Sequence, residues 1–287
     1  MPFTAAAVQF APRMGDVVEN VRRMGEIIRQ CAEEGAELVV FPECAVSGYA
    51  IEAGVNEVAL EPGELLARLS TAVGTLSRPV DVVVGFYEKN YGQPFNSAGY
   101  FELGDSPRVT HVYRKFFLPT YGVFDEERYA QTGQDLGVFN TRFGRLGILI
   151  CEDVWHSVMS PLVAVSGAEM VIVPIASPAR GFSEEKPGNV LRYERMLKAL
   201  ADEHGMFALA SCLAGFEGGK GLAGTSSIWS PLGENLGQSP ALGEAIVVAE
   251  IDFDLCRIAR SKSPLLNDLQ SRWARVQDLV RETEVDG

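Results

Sequence analysis

The sequence predicts one α/β domain in which helices cover the faces of a sheet. Two observations carry this. Strand-like and helix-like patterns alternate along the chain without a repeat, a low-complexity tract or a linker. The runs Leu38–Phe41, Val82–Phe86 and Met170–Val173 are almost continuously apolar, as strands covered on both faces are.

Taken in order, the first ten residues hold a strand from Phe3 to Phe10. Val17, Val18, Val21, Met24, Ile27, Ile28 and Cys31 then recur at helical spacing, and Gly35 can stop that helix. A short apolar strand from Leu38 ends in Pro42-Glu43. A helix is expected near 63–77, a strand over 80–87, and a strand pair over 97–103 and 109–113. The segment 146–150 reads as a buried strand running straight into Cys151. Helix, strand and helix are expected over 159–167, 170–174 and 190–204. Late strands are expected over 207–212, 225–230 and 245–251, and the glycine-rich 215–224 between them as a flexible loop. Leu265, Leu266, Leu269, Trp273, Val276, Leu279 and Val280 give an amphipathic tail helix, which can pack on its own domain or on a neighbouring subunit.

The chain has 287 residues, 47% hydrophobic and 22% charged, with ample material for a core. Lys and Arg number 25 against 38 Asp and Glu, a net charge of −13. That field repels a phosphate backbone, so no nucleic acid partner is expected. No apolar run approaches the ~20 residues of a membrane span, so no membrane association is expected. The N-terminus lacks a basic region and a cleavage site, so no export signal is read. Five cysteines at 31, 44, 151, 212 and 256 form neither a disulfide framework nor a zinc-type CxxC pair. A reducing cytoplasm with free thiols is the expected compartment, with no metal and no cofactor.

Three strand ends carry unusual residues: Glu43, Lys115 and Cys151. Each alone has a plain explanation as a turn residue, a solvated face or a small core residue. If they meet, the chemistry is coherent. A thiol needs a base, which Glu43 can be. A tetrahedral intermediate needs positive charge or N–H donors at its oxygen, which Lys115 and the backbone after Cys151 can supply. The three histidines, at 111, 156 and 204, form no HExxH pattern. His156 stands five residues after Cys151, near the nucleophile or on the surface beside it. No GxGxxG or GxxxxGK[ST] opens a helix, and the GxSxG elbow is not met around Ser47.

Three blocks in order resemble the nitrilase (carbon–nitrogen hydrolase) superfamily over nearly the whole chain. They are Leu38-Val39-Val40-Phe41-Pro42-Glu43 with Ser47-Gly48-Tyr49, Tyr113-Arg114-Lys115-Phe116-Phe117-Leu118-Pro119, and Gly147-Ile148-Leu149-Ile150-Cys151-Glu152-Asp153. The resemblance implies a four-layer αββα sandwich over residues 1–260, with a C-terminal helix or arm over 261–287 that lies either on its own domain or at a subunit interface. It implies Glu43 as general base, Lys115 as oxyanion support and Cys151 as nucleophile. It implies Glu126 as a second glutamate, with Glu127 competing for that role. A homodimer or larger homo-oligomer is also implied.

The stretch Lys115–Tyr129 and the Cys-Glu-Asp context are most similar to the glutaminase domain of glutamine-dependent NAD synthetase. By that likeness Tyr121, Glu152 and Ser177 would bind substrate. Two features depart from it. The chain ends at Gly287, leaving no room for a synthetase domain, and no basic residue stands at the expected distance after Ser177-Pro178. Arg180 is too close and Lys186 rather far. The expected function is therefore hydrolysis of a small amide through a Cys thioester, with a glutaminase subunit and a catalytically idle scaffold as alternatives.

Overall fold

The structure, a computed structural model, describes residues 1–181 and 186–283. The strands are β1 (Phe3–Gln9), β2 (Leu38–Val40), β3 (Val80–Glu88), β4 (Phe95–Leu103), β5 (Arg108–Arg114), β6 (Val138–Asn140), β7 (Arg145–Ile148), β8 (Met170–Ile175), β9 (Phe207–Cys212), β10 (Ala214–Glu217), β11 (Lys220–Ala223), β12 (Ser227–Trp229), β13 (Asn235–Gln238) and β14 (Ala245–Ile251). The helices are α1 (Val17–Glu33), α2 (Val55–Val58), α3 (Pro62–Val73), α4 (Met159–Val165), α5 (Gly188–His204), α6 (Asp254–Lys262) and α7 (Leu265–Glu282).

Two six-stranded mixed sheets pack face to face, in the orders β14-β1-β2-β3-β4-β5 and β13-β12-β9-β8-β7-β6. Each has a parallel centre, β1-β2-β3 and β7-β8-β9, with antiparallel strands outside it. The alternation of side chains builds the layers. In β1 and β2, Ala5, Ala7, Leu38 and Val40 face the second sheet, while Ala6, Val8, Val39 and the following Phe41 meet α1 and α3. Helices α4 and α5 cover the other side of the second sheet, which completes the αββα sandwich. Inside it, the buried Ser211 hydroxyl of β9 reaches the carbonyls of Val8 and Val40, at 2.6 and 3.0 Å, fastening sheet to sheet.

The glycine-rich segment after Cys212 is not a flexible loop. Strands β10 and β11 form a hairpin whose two-residue turn is Gly218-Gly219, at φ 54° and 76°. A turn needing positive φ at both central positions is what paired glycines supply. Strands β6 and β13 and helices α2 and α6 were also not expected. The first three are only three or four residues long, below the length at which a period shows.

Helix α7 packs on α4, α5 and α6. Leu266 is buried and Leu269, Trp273 and Val276 are half-buried, while Leu265, Leu279 and Val280 are exposed. Residues 182–185 and the last four of the tail, 284–287, lie outside the described residues. No helix among the described residues is long and apolar enough to cross a membrane.

Candidate active site

Three strand ends of the two sheets meet at one place. Glu43 follows β2, Lys115 follows β5 and Cys151 follows β7, and all three side chains are buried. Gly85 of β3 lies under the Glu43 turn, with its N–H donating to the Pro42 carbonyl and its own carbonyl accepting from Val46. A Cβ at Gly85 would fall 2.6 Å from the Glu43 Cα, so only glycine allows this approach.

Lys115 Nζ stands 2.7 Å from Glu43 Oε1 and 2.7 Å from Glu126 Oε2. Asn96 Nδ2 donates to Glu43 Oε1 at 2.8 Å and also to Glu126 Oε1. Tyr49 donates its hydroxyl to Glu126 Oε2 at 3.0 Å. The Ala176 N–H donates to Glu43 Oε2 at 2.7 Å, and the Ala176 carbonyl is 4.0 Å from the Cys151 sulfur. The same sulfur lies 3.1 Å from the Tyr193 hydroxyl. Of the two candidate second glutamates, Glu126 is thus bound into the cluster, whereas Glu127 is exposed.

Burial, partly offset by Lys115, raises the Glu43 carboxyl above its ordinary value. Burial opposes the charge on Lys115, but Glu126 and Glu43 hold the ammonium well above its usual range. Burial, and then the charge of Glu43, push the Cys151 thiol well up. Both shifts favour the neutral forms of Cys151 and Glu43. Cys151 also has φ 46°, a strained backbone for a residue other than glycine.

The buried Asp153 carboxylate ties the nucleophile turn to the lysine segment. It accepts from the Phe116 and Phe117 N–H groups at 3.2 and 2.8 Å, the Ile150 N–H at 2.9 Å and the Tyr113 hydroxyl at 2.8 Å.

The three expected substrate-binding residues are placed differently from one another. Tyr121 donates to both oxygens of Glu152, at 2.9 and 3.0 Å. Both line an open cavity of about 540 Å³ shared with Trp155, His156, Arg180 and Arg192. Ser177 is buried, accepts from Asn189 at 2.9 Å and does not line that cavity. A second cavity of about 180 Å³ is bounded by Tyr49, Tyr87, Phe124, Glu126, Glu217 and Lys220 among others. Cys151 lines neither, but its neighbour Glu152 borders the first and Glu126 borders the second. Arg180, too close by spacing, has its guanidinium 5.4 Å from the Trp155 ring and 6.0 Å from that of Tyr121. Lys186 pairs with Glu194 at 2.7 Å. No three His, Cys, Asp or Glu side chains cluster as metal ligands among the described residues.

Asn96, Tyr193, Asp153 and Glu217 were not singled out from the sequence. Glu217 is a buried carboxylate whose Oε2 accepts from the Tyr49 and Ala50 N–H groups, at 2.7 and 3.0 Å, anchoring the loop after Glu43 to the hairpin.

Known proteins match this chain over nearly its whole length. The chain is 29% identical to a glutamine-dependent NAD(+) synthetase of Acinetobacter baylyi, over 99% of this chain but 52% of that one. It therefore spans about half the length of that synthetase. It is 30% identical to a nitrilase of Pyrococcus abyssi, covering 92% of this chain and 94% of the relative. A carbon–nitrogen hydrolase structure from Helicobacter pylori G27 superposes with a TM-score of 0.82 at 26% identity, over 93% of this chain and 95% of that one. The carbon–nitrogen hydrolase family model matches residues 4–261, which takes in both sheets and every member of the buried cluster, so the chain belongs to that family and is a carbon–nitrogen hydrolase enzyme.

Proposed function

We propose that this enzyme hydrolyses the carbon–nitrogen bond of a small amide through a thioester on Cys151. The observation that carries the reading is Lys115 Nζ held between Glu43 and Glu126 at 2.7 Å from each, beside a buried thiol. Two of the three ammonium protons are engaged there, which leaves one for a substrate oxygen. Glu43 Oε1 already accepts from Lys115 and Asn96, whereas among the described residues Oε2 accepts only from Ala176. Oε2 is thus the oxygen with a lone pair for the thiol proton.

In the proposed cycle, the Cys151 proton passes to Glu43 as sulfur bonds to the amide carbon. Lys115 and the Glu152 N–H face the resulting oxyanion. The C–N bond breaks as Glu43 returns the proton to the departing nitrogen, which releases ammonia or an amine. Water then gives a proton to Glu43 and its oxygen bonds to the thioester carbon. Cleavage of the C–S bond frees the acid, and the proton returns to sulfur.

A second reading takes glutamine as the amide, with ammonia passed to a separate synthetase. Arg180 favours it, because its guanidinium shares a cavity with Tyr121 and Glu152 and can bind a carboxylate. Ammonia release from a panel of simple amides, carbamoyl compounds and glutamine, by wild type and Cys151→Ala, separates the readings. Turnover lost in Cys151→Ala supports the hydrolase, and the best substrate chooses between them. No turnover on any, with Cys151 alkylated no faster than the other thiols, favours an idle scaffold.

The exposed Leu265, Leu279 and Val280 of α7 support a homo-oligomer, which light scattering tests. Five unpaired thiols support a reducing, cytoplasmic setting.

A further inference from the structure

We infer that Asn96 is the positioning residue that holds Glu43 and Glu126 on either side of Lys115 and leaves Glu43 Oε2 as the proton acceptor. The inference rests on the hydrolase reading, in which Glu43 is the base.

Asn96 lies in β4 and is fully buried. Its amide nitrogen has two protons, and each goes to a different carboxylate, Glu43 and Glu126. Its backbone carbonyl accepts the Lys115 N–H at 2.9 Å. One residue therefore grips all three charged members of the cluster. The amide is oriented from behind, because the Cys44 thiol donates to Asn96 Oδ1 at 3.6 Å. A flipped amide would turn its oxygen toward two carboxylates and lose both hydrogen bonds. With Lys115 and Asn96 on Oε1, the proton-transfer role falls to Oε2, on the Ala176 side where Cys151 also lies.

Donation to a carboxylate stabilises its charged form. Asn96 therefore keeps Glu43 ionised at a lower pH than burial alone would permit. The titratable groups facing Glu43 are Lys115, Glu126, the thiols of Cys44 and Cys151 and the phenols of Tyr49 and Tyr193. All remain in Asn96→Leu, so a change in the pH profile reports the lost amide.

The test is the pH dependence of Cys151 alkylation by iodoacetamide, read by peptide mass spectrometry in wild type, Asn96→Leu and Cys44→Ala. The position of the acid limb is the readout, not the plateau height. In Asn96→Leu the limb moves up by about one pH unit. In Cys44→Ala, which keeps the amide but frees it to turn, the limb moves the same way by less. If Asn96→Leu fails to fold, the milder Cys44→Ala decides alone. An unmoved limb in the folded variants, whatever the plateau, overturns the inference. Ammonia release by the wild type judges the hydrolase reading separately.

Discussion

The Asp153 carboxylate accepts the Tyr113 hydroxyl at 2.8 Å, joining the residue two after the nucleophile to the residue two before the lysine. That carboxylate also holds three N–H groups, so it is the knot between the Cys151 turn and the Lys115 segment. Removing it leaves four donors unmet in the interior. Asp153→Ala is expected to cost about 3 kcal/mol and to lower Tm by roughly 5–10 °C, measured by calorimetry.

The same residue gives stability a pH signature. Burial raises its pKa from the ordinary 3.8 to about 6. Between those values the folded state binds more protons than the unfolded one, so this contribution falls as pH rises. It is fully present below 3.8 and lost above about 6. Denaturant titrations across pH 4–6 should show wild type losing about 3 kcal/mol relative to the non-titrating Asp153→Asn. A flat difference would contradict it.

Lys115 is the cation between two buried carboxylates. Lys115→Met leaves both without it and withdraws the proposed oxyanion donor. Turnover is expected to fall about 10³-fold, with a stability loss of roughly 3–5 kcal/mol, read by kinetics and by urea unfolding.

In the proposed cycle Glu43 is ionised to accept the thiol proton, and burial raises its carboxyl above the ordinary 4.5. The acid limb of kcat/KM should therefore fall above pH 4.5, with activity rising as pH increases through it. Glu43→Gln should abolish turnover while the protein stays folded, and a pH–rate profile of each checks both statements.

Gly85 makes a geometric prediction that involves no charge. A methyl group there meets the Pro42–Cys44 backbone and displaces Glu43. Gly85→Ala is expected to reduce kcat about 100-fold, because an error of ~1 Å in a reacting group is that costly. Steady-state kinetics of the purified variant would show it.

Much of this was readable in advance because strand ends announce themselves. A continuous apolar run stopping at Glu43 or Cys151 marks both the buried strand and the loop position where chemistry is placed. Other parts were silent for physical reasons. Asn96 of β4 and Tyr193 of α5 matter through where their side chains meet residues far away in sequence, and no local period records that. Arg180 looked too close along the chain, yet its long side chain carries the guanidinium to Trp155. The Gly218-Gly219 turn was legible as paired glycines, but glycine richness was read as looseness instead of as a tight reversal.

The proposed base and nucleophile come from different sheets, Glu43 after β2 and Cys151 after β7. Neither half of the polypeptide holds both, so the reactive pair does not exist until the sheets dock. Docking joins segments far apart in sequence and is therefore a late step of folding. During refolding, recovery of Cys151-dependent turnover should lag behind recovery of secondary structure, because a partly folded chain carries Cys151 with no carboxylate beside it.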